Sequence, residues 1–221
     1  MKGYTHLLFD LDGTLTDPAL GITNSIMYAL KKFGIEVKDR KELYCLIGPP
    51  LIPAFENMWG LSHEDAVLAL EYYREYFSAN GIFENRLYEG IDDLLSSLCK
   101  EGKKLYLATS KPEEYAKKIL EYFKIDRYFT FIAGNTLTES RPSKLAVLEY
   151  LMQTVPEING DNAVMIGDTK YDAIGAREAC LDCIGVLYGY GSPEDFEAEG
   201  VKITARSVAE LKAILLRGDV K

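Results

Sequence analysis

The chain has 221 residues, of which 48% are hydrophobic, and carries a formal charge of −9 with a pI of about 4.9. That length allows one large domain or two modest ones around a sizeable core. The acidic balance argues against a nucleic-acid polymer or an anionic membrane as partner, yet leaves room for a small anionic substrate, because a metal ion or a lysine reverses the potential inside a cleft. In chain order, the first apolar run is Leu7-Leu8-Phe9, too short for a secretory leader, and no run is long enough to span a membrane. It ends in Asp10-Leu11-Asp12-Gly13-Thr14. Side chains two apart on a strand point the same way, so Asp10 and Asp12 are expected to leave the strand end close together. Such a pair is costly for folding and useful for chemistry.

Residues 15–86 read as all-helical. Asp17-Pro18 starts a helix with Ile22, Ile26, Ala29, Leu30 and Phe33 on one face, and Gly34 ends it. Ile47-Gly48-Pro49-Pro50-Leu51 is a stiff loop that either presents its backbone to a ligand or simply turns the chain. Ser62-His63-Glu64-Asp65 is a capping box before a helix carrying Val67, Leu68, Leu70, Tyr73 and Phe77. This block is expected to be an inserted helical cap, 15–86, able to close as a lid over a core formed by 1–14 and 87–221.

From Tyr88 the pattern alternates strand and helix. Leu105 to Ala108, Tyr128 to Ile132, Ala163 to Ile166 and Ile184 to Leu187 read as strands. Pro112 opens a helix with Tyr115, Ile119, Leu120 and Phe123 on one face, and Leu145, Leu148, Leu151 and Met152 mark another. The expected fold is α/β, a doubly wound parallel sheet with a Rossmann-like core, with its active site beyond the carboxyl ends of the strands. Of the four cysteines, Cys180 and Cys183 have CxxC spacing, but without a second pair they read as small apolar residues at a helix end and a strand start. Free thiols, Cys45 and Cys99 among them, fit a reducing cytoplasm.

Four pieces fall at expected strand ends or just beyond: Asp10 to Thr14, Thr109-Ser110, Lys144, and Gly167-Asp168-Thr169-Lys170-Tyr171-Asp172. Several aspartates with no companion His or Cys form a hard oxygen site suited to Mg²⁺. Thr109, Ser110 and their backbone N–H groups suit an anionic oxygen, and Lys144 adds a point charge. Together they describe a phosphate-sized anion site with one carboxylate free to attack phosphorus and a second to move protons. Each piece alone has a plainer meaning, as a cap, a tight turn or a solvated lysine.

In this order the residues resemble the haloacid dehalogenase superfamily of phosphohydrolases, in the branch with a helical cap after the first strand. DxDGT matches Asp10 to Thr14, the Thr/Ser strand end matches Thr109, the lysine matches Lys144, and GDxxxD matches Gly167 to Asp172. The resemblance implies Asp10 as nucleophile and Asp12 as acid/base. It implies Mg²⁺ held by the Asp10 side chain, the Asp12 main-chain carbonyl and Asp168, with Asp172 orienting that site or ligating through water. Thr109 and Lys144 would bind the phosphoryl group. Many relatives carry Lys-Pro before the third helix, where this chain has Ser140-Arg141-Pro142-Ser143-Lys144, so Arg141 is an alternative to Lys144. With Asp17-Pro18, the Gly48-Pro49-Pro50 loop and Leu187-Tyr188-Gly189-Tyr190-Gly191-Ser192, the chain also resembles capped enzymes described as 5′-nucleotidases or phosphoglycolate phosphatases.

The expected activity is therefore a Mg²⁺-dependent phosphomonoesterase acting through an aspartyl phosphate on a small phosphorylated metabolite. Asp12 argues against a dehalogenase. A phosphomutase of the β-phosphoglucomutase type carries a hinge histidine where this chain has Ile22, and His6 and His63 read as structural or exposed. Lys31 and Lys32, candidates for a Schiff base of the phosphonoacetaldehyde hydrolase kind, read as a solvated helix end. A binding or regulatory protein on the same fold is the remaining alternative, opposed by the presence of every expected carboxylate.

Overall fold

The computed structural model describes residues 3–217 and divides the chain into two compact units, Asp17–Arg86 and the remainder on either side of it. The division falls two residues beyond Thr14 on the way out and between Arg86 and Leu87 on the return. The chain crosses between units in two short paired strands, β2 (Thr16–Asp17) and β3 (Arg86–Leu87).

The helical unit contains α1 (Ala19–Lys32), α2 (Leu51–Trp59) and α3 (His63–Tyr76), with a 3-10 stretch at Arg40–Leu46 and a π turn at Phe77–Gly81. Ile22, Ile26, Ala29 and Leu30 are buried on α1, as their spacing predicts. Ser62 caps α3 by accepting from the Asp65 N–H. The buried face of α3 differs from the expected one: Ala66 and Ala69 are buried, followed by Phe77, whereas Val67 and Leu68 are exposed. Small alanines let α3 approach α1 closely, and the larger side chains beside them turn outward. Lys32 lies over the rings of Tyr28 and Tyr72 on the surface, the solvated role its position predicts.

In the larger unit, β1 (His6–Phe9), α4 (Ile91–Lys100), β4 (Lys104–Pro112), α5 (Glu113–Tyr122), β5 (Phe129–Asn135) and α6 (Lys144–Thr154) come first. β6 (Ala163–Gly167), α7 (Lys170–Glu178), β7 (Asp182–Val186), α8 (Pro193–Ala198), β8 (Ile203–Ala205) and α9 (Val208–Arg217) follow. The six long-sheet strands run in the order β5-β4-β1-β6-β7-β8, and all their pairings are parallel. This is the doubly wound sheet the alternating pattern predicts. Leu8, Tyr106, Ala108, Ala163 and Met165 pack under Val147, Leu148 and Leu151 of α6 and Ala176 of α7. The alternate residues, Leu7, Phe9, Leu105, Leu107, Val164 and Ile166, are equally buried on the other face.

The chain moves from β1 outward to β4 and β5, then crosses back to β6, β7 and β8. Right-handed crossovers therefore send α4 and α5 to one face and α6, α7 and α8 to the other, while α9, after the last strand, packs back against α4. The direction reverses between β1 and β6, and a crevice opens beyond their carboxyl ends. Among the described residues no helix is long and apolar enough to cross a membrane, and the four cysteines are free thiols.

His6 sits buried at the opposite end of β1, stacked on Tyr106 with 5.7 Å between ring centroids. Burial, with Lys104 nearby, holds its imidazole below the ordinary histidine value. The unfolded chain then binds a proton that the folded one resists, so this residue's share of stability is full above about pH 6.5 and shrinks as pH falls below it. We expect His6→Phe, which keeps the stack, to flatten the loss of thermal midpoint between about pH 7 and pH 5 relative to wild type. Parallel melting curves of the two proteins across that range check this, and superimposable pH profiles would contradict it.

Candidate active site

The site lies at the reversal. β1 ends at Phe9, so Asp10 and Asp12 stand beyond the regular strand, in a loop folded back on itself. The N–H groups of Leu15 and Thr16 both reach the Leu11 carbonyl, and Gly13 N–H donates to the Thr16 carbonyl at 2.7 Å. Leu11 and Leu15 are fully buried and anchor this loop. Gly13 has φ of +80°, and a Cβ there would fall 1.9 Å from Asp168 Oδ2. Only glycine meets both demands.

Asp10, Asp168 and Asp172 converge, each offering a carboxylate oxygen, with those atoms all within 4.8 Å of one another. Asp168 follows β6 and is fully buried. Its Oδ2 accepts from the Tyr190 N–H at 2.8 Å and its Oδ1 from the Thr14 hydroxyl at 3.4 Å. Tyr188 donates its hydroxyl to the Thr14 carbonyl at 3.0 Å, tying the loop after β7 to the loop after β1. Asp172, in the first turn of α7, accepts from both the N–H and the hydroxyl of Thr169 at 3.0 Å.

Lys144 opens α6 and turns its side chain inward to 5% exposure. Its ammonium donates to the Ala108 carbonyl at 2.9 Å, and lies 3.0 Å from Asp10 Oδ1 and 2.8 Å from Asp172 Oδ1. Both ion pairs are at contact distance without aligned hydrogen-bond geometry at those two oxygens. Arg141, the alternative cation, is engaged elsewhere: it donates to the Gly134 carbonyl, pairs with Glu113 and lies 4.0 Å over the Tyr150 ring.

Asp12 stands outside the carboxylate cluster. Its Oδ2 is 2.6 Å from Lys111 Nζ, and both side chains are nearly buried. Thr109 is buried in β4 just before its last residues, its hydroxyl accepting from the Lys111 N–H at 3.3 Å. Ser110 is half-buried in the same strand, and among the described residues no hydrogen bond ties it to the carboxylates. Lys111 is the residue that sequence reasoning missed. Its neighbour Pro112 draws attention to a helix start, and the one available signal was a lysine directly after Thr109-Ser110.

Electrostatics follow from this packing. Three carboxylates face one ammonium in the cluster, which leaves two negative charges uncompensated in a buried space. Burial, then mutual repulsion, pushes the Asp168 carboxyl well above the ordinary range. Burial raises Asp172 as well, against the pull of Lys144. Burial also raises Asp12, with Lys111 opposing. Burial alone would lower Lys144, but Asp10 and Asp172 outweigh it and hold the ammonium charged. A buried all-oxygen site with surplus negative charge fits a hard divalent cation such as Mg²⁺.

A carboxyl held above its unfolded value favours the protonated fold, so at neutral pH the Asp168 charge opposes folding of the metal-free protein. Asp168→Asn keeps an acceptor for the Tyr190 N–H and removes that charge. We expect it to stabilise the chelated protein by about 1 kcal/mol or more. The stabilising shift on adding Mg²⁺ should be lost in the variant. Thermal unfolding with EDTA and with excess Mg²⁺ reads both effects, and a variant less stable than wild type in EDTA would contradict the charge argument.

Comparison with known proteins agrees with this geometry. The haloacid dehalogenase-like hydrolase family matches residues 7–186. A predicted phosphatase from Clostridium acetobutylicum, known as a crystal structure, superposes with a TM-score of 0.92 at 46% identity, covering 97% of this chain and 99% of its own. A 5′-nucleotidase from Pseudomonas aeruginosa is 39% identical over 96% of each protein. The tyrosine-protein kinase PtkA of Mycobacterium tuberculosis is 36% identical over 95% of this chain and 72% of its own length. Proteins named phosphoglycolate phosphatase follow at lower identity. The family match, the near-complete coverage and the four ordered motifs converge on one assignment: the chain belongs to the haloacid dehalogenase-like hydrolases.

Proposed function

We propose that this phosphatase splits small phosphomonoesters in two steps, with Asp10 as the attacking carboxylate. The observation that carries the reading is the convergence of Asp10, Asp168 and Asp172 around Lys144, with Asp12 held apart by a second lysine. Lys144 draws negative charge away from Asp10 and offers a cation to a phosphoryl oxygen. Thr109 offers a buried hydroxyl beside the same strand end, and Ser110 a second one next to it. Mg²⁺, when bound, would be held by the Asp10 side chain, the Asp12 carbonyl and Asp168, and it supplies positive charge against the charge on the phosphoryl group. Asp172 orients the site through Lys144 and Thr169.

In the first step an Asp10 oxygen bonds to phosphorus, the ester P–O bond breaks and the leaving oxygen takes a proton from Asp12. In the second a water gives Asp12 a proton as its oxygen bonds to phosphorus, and the bond to Asp10 breaks. The phosphomutase alternative is disfavoured by Ile22, an apolar residue buried on α1 where that chemistry needs a histidine. The relative named 5′-nucleotidase supports a 5′-nucleotide as substrate, and those named phosphoglycolate phosphatase support phosphoglycolate. The relative named a tyrosine-protein kinase shows that identity at this level does not settle the acceptor. Water as acceptor yields free inorganic phosphate.

The test is inorganic phosphate release across nucleoside monophosphates, phosphoglycolate and sugar phosphates, ranked by kcat/KM. We expect turnover that stops in EDTA, returns with Mg²⁺, and falls by at least about a thousandfold in Asp10→Asn, since an amide does not attack phosphorus. Asp12→Asn should retain the fold and lose turnover most severely on poor leaving groups. Undiminished activity in EDTA, or in Asp10→Asn, would defeat the reading.

A further inference from the structure

Lys111 is placed by a local irregularity of the sheet. β4 pairs with β5 in unbroken register from Tyr106 and Phe131 to Thr109 and Gly134, and the next pair is Pro112 with Asn135. Ser110 and Lys111 are thus extra residues on β4, a bulge of the kind that re-aims a side chain. Gly134 makes room for it: a Cβ there would fall 2.8 Å from the Lys111 carbonyl oxygen. Arg141 braces the same point, donating to the Gly134 carbonyl at 2.6 Å and pairing with Glu113. Thr109 accepts from the Lys111 N–H. The result is an ammonium whose side chain is 6% exposed, 2.6 Å from Asp12 Oδ2. The other oxygen, Asp12 Oδ1, is buried and has no hydrogen-bond partner.

We propose that Lys111 is the positioning residue for Asp12, pinning Oδ2 so that Oδ1 alone faces the reacting oxygens. The inference rests on the two-step reading above. As the ester P–O bond breaks and the Asp10–phosphorus bond forms, the proton on Asp12 Oδ1 passes to the leaving oxygen. As water attacks and the Asp10–phosphorus bond breaks, a water proton passes to Oδ1. A carboxylate free to rotate would present either oxygen, or neither, at those moments. A merely structural bulge could be filled by an apolar side chain, whereas a buried ammonium is matched to a carboxylate that must be held.

The experiment compares wild type, Lys111→Met, Lys111→Arg, Asp12→Asn and the Lys111→Met/Asp12→Asn double variant on an alkyl phosphate and on p-nitrophenyl phosphate. For Lys111→Met we expect kcat on the alkyl phosphate to fall about 10- to 100-fold with KM within about threefold of wild type, and Lys111→Arg to recover part of the loss. On p-nitrophenyl phosphate, rapid mixing should show a burst of nitrophenol followed by slow turnover, because an activated leaving group needs no proton but the attacking water does. In the Asp12→Asn background, Lys111→Met should cost nothing further. Wild-type kcat in Lys111→Met, a rise in KM alone, or full additivity in the double variant would overturn the assignment. If Lys111→Met does not fold, a Lys111→Gln variant with wild-type melting takes its place: the same kcat loss on the alkyl phosphate carries the proposal, and wild-type kcat on both esters overturns it. Phosphatase activity of the wild type, measured first, separates this claim from the broader one: an inactive wild type removes both, and a fully active Lys111→Met removes only this one.

Discussion

One ammonium holds the centre of this molecule together. Lys144 contacts Asp10 from the first strand end, Asp172 from the first turn of α7 and the Ala108 carbonyl from β4. These groups come from widely separated parts of the sequence, and nothing local would keep them in register. Two carboxylates closing on each other in a dry space repel strongly, and a cation between them turns that repulsion into a constraint on geometry. The cation is itself stabilised in its charged form by the groups it joins. Three carboxylates to one ammonium still leave surplus negative charge, and burial, with repulsion added, raises the Asp168 and Asp172 carboxyls. A structural ion-pair network tuned only for stability would come closer to neutrality. The imbalance is what the proposed cation would offset.

The topology explains why these residues meet. Asp10 follows β1 and Asp168 follows β6, and the two strands are hydrogen-bonded neighbours. Because winding reverses between them, the connections that follow turn to opposite faces of the sheet, the arrangement in which such folds leave a crevice beyond the strand ends. The loop after β7 then supplies the Tyr190 N–H to Asp168 and the Tyr188 hydroxyl to the Thr14 carbonyl. Three successive strand ends of the sheet are therefore cross-linked by hydrogen bonds to the same short loop. The sheet provides rigidity, and the loops provide chemistry, which is the usual division of labour in such folds.

Much of this was legible in the chain. Apolar runs of the right length, broken at regular intervals, declare a parallel sheet, and the strands fall where those runs lie. Asp10, Asp12 and Asp168 were visible because they follow such runs, and Lys144 because it opens the apolar pattern of α6. What was not legible depends on neighbours distant in sequence. The buried face of α3 follows its alanines, because contact with α1 selects small residues and turns Val67 and Leu68 outward. Lys111 was hidden for a related reason: a bulge arises from the pairing of β4 with β5 and from Gly134, and no periodicity within β4 announces it. Arg141 and Lys144 were both open choices until the fold showed one bound to a carbonyl and a ring and the other to the carboxylates.

The two aspartates of the first motif illustrate how environment, not residue type, assigns chemical work. Asp10 and Asp12 are the same amino acid, two positions apart, yet each meets a different lysine. Asp10 shares Lys144 with Asp172 and belongs to the carboxylate cluster, the place the proposed reaction gives its nucleophile. Asp12 lies outside that cluster and is held by one oxygen. Burial raises its carboxyl toward the range where it is able to hold a proton, while Lys111 limits how far it rises. The proposed role for Asp12, giving and then accepting a proton in one cycle, calls for a carboxyl pulled in both directions, because too acidic a group would never hold the proton and too basic a one would never release it. In the proposed reaction the division between nucleophile and proton carrier follows from which lysine each carboxylate reaches, and that in turn follows from a turn after β1 and a bulge in β4.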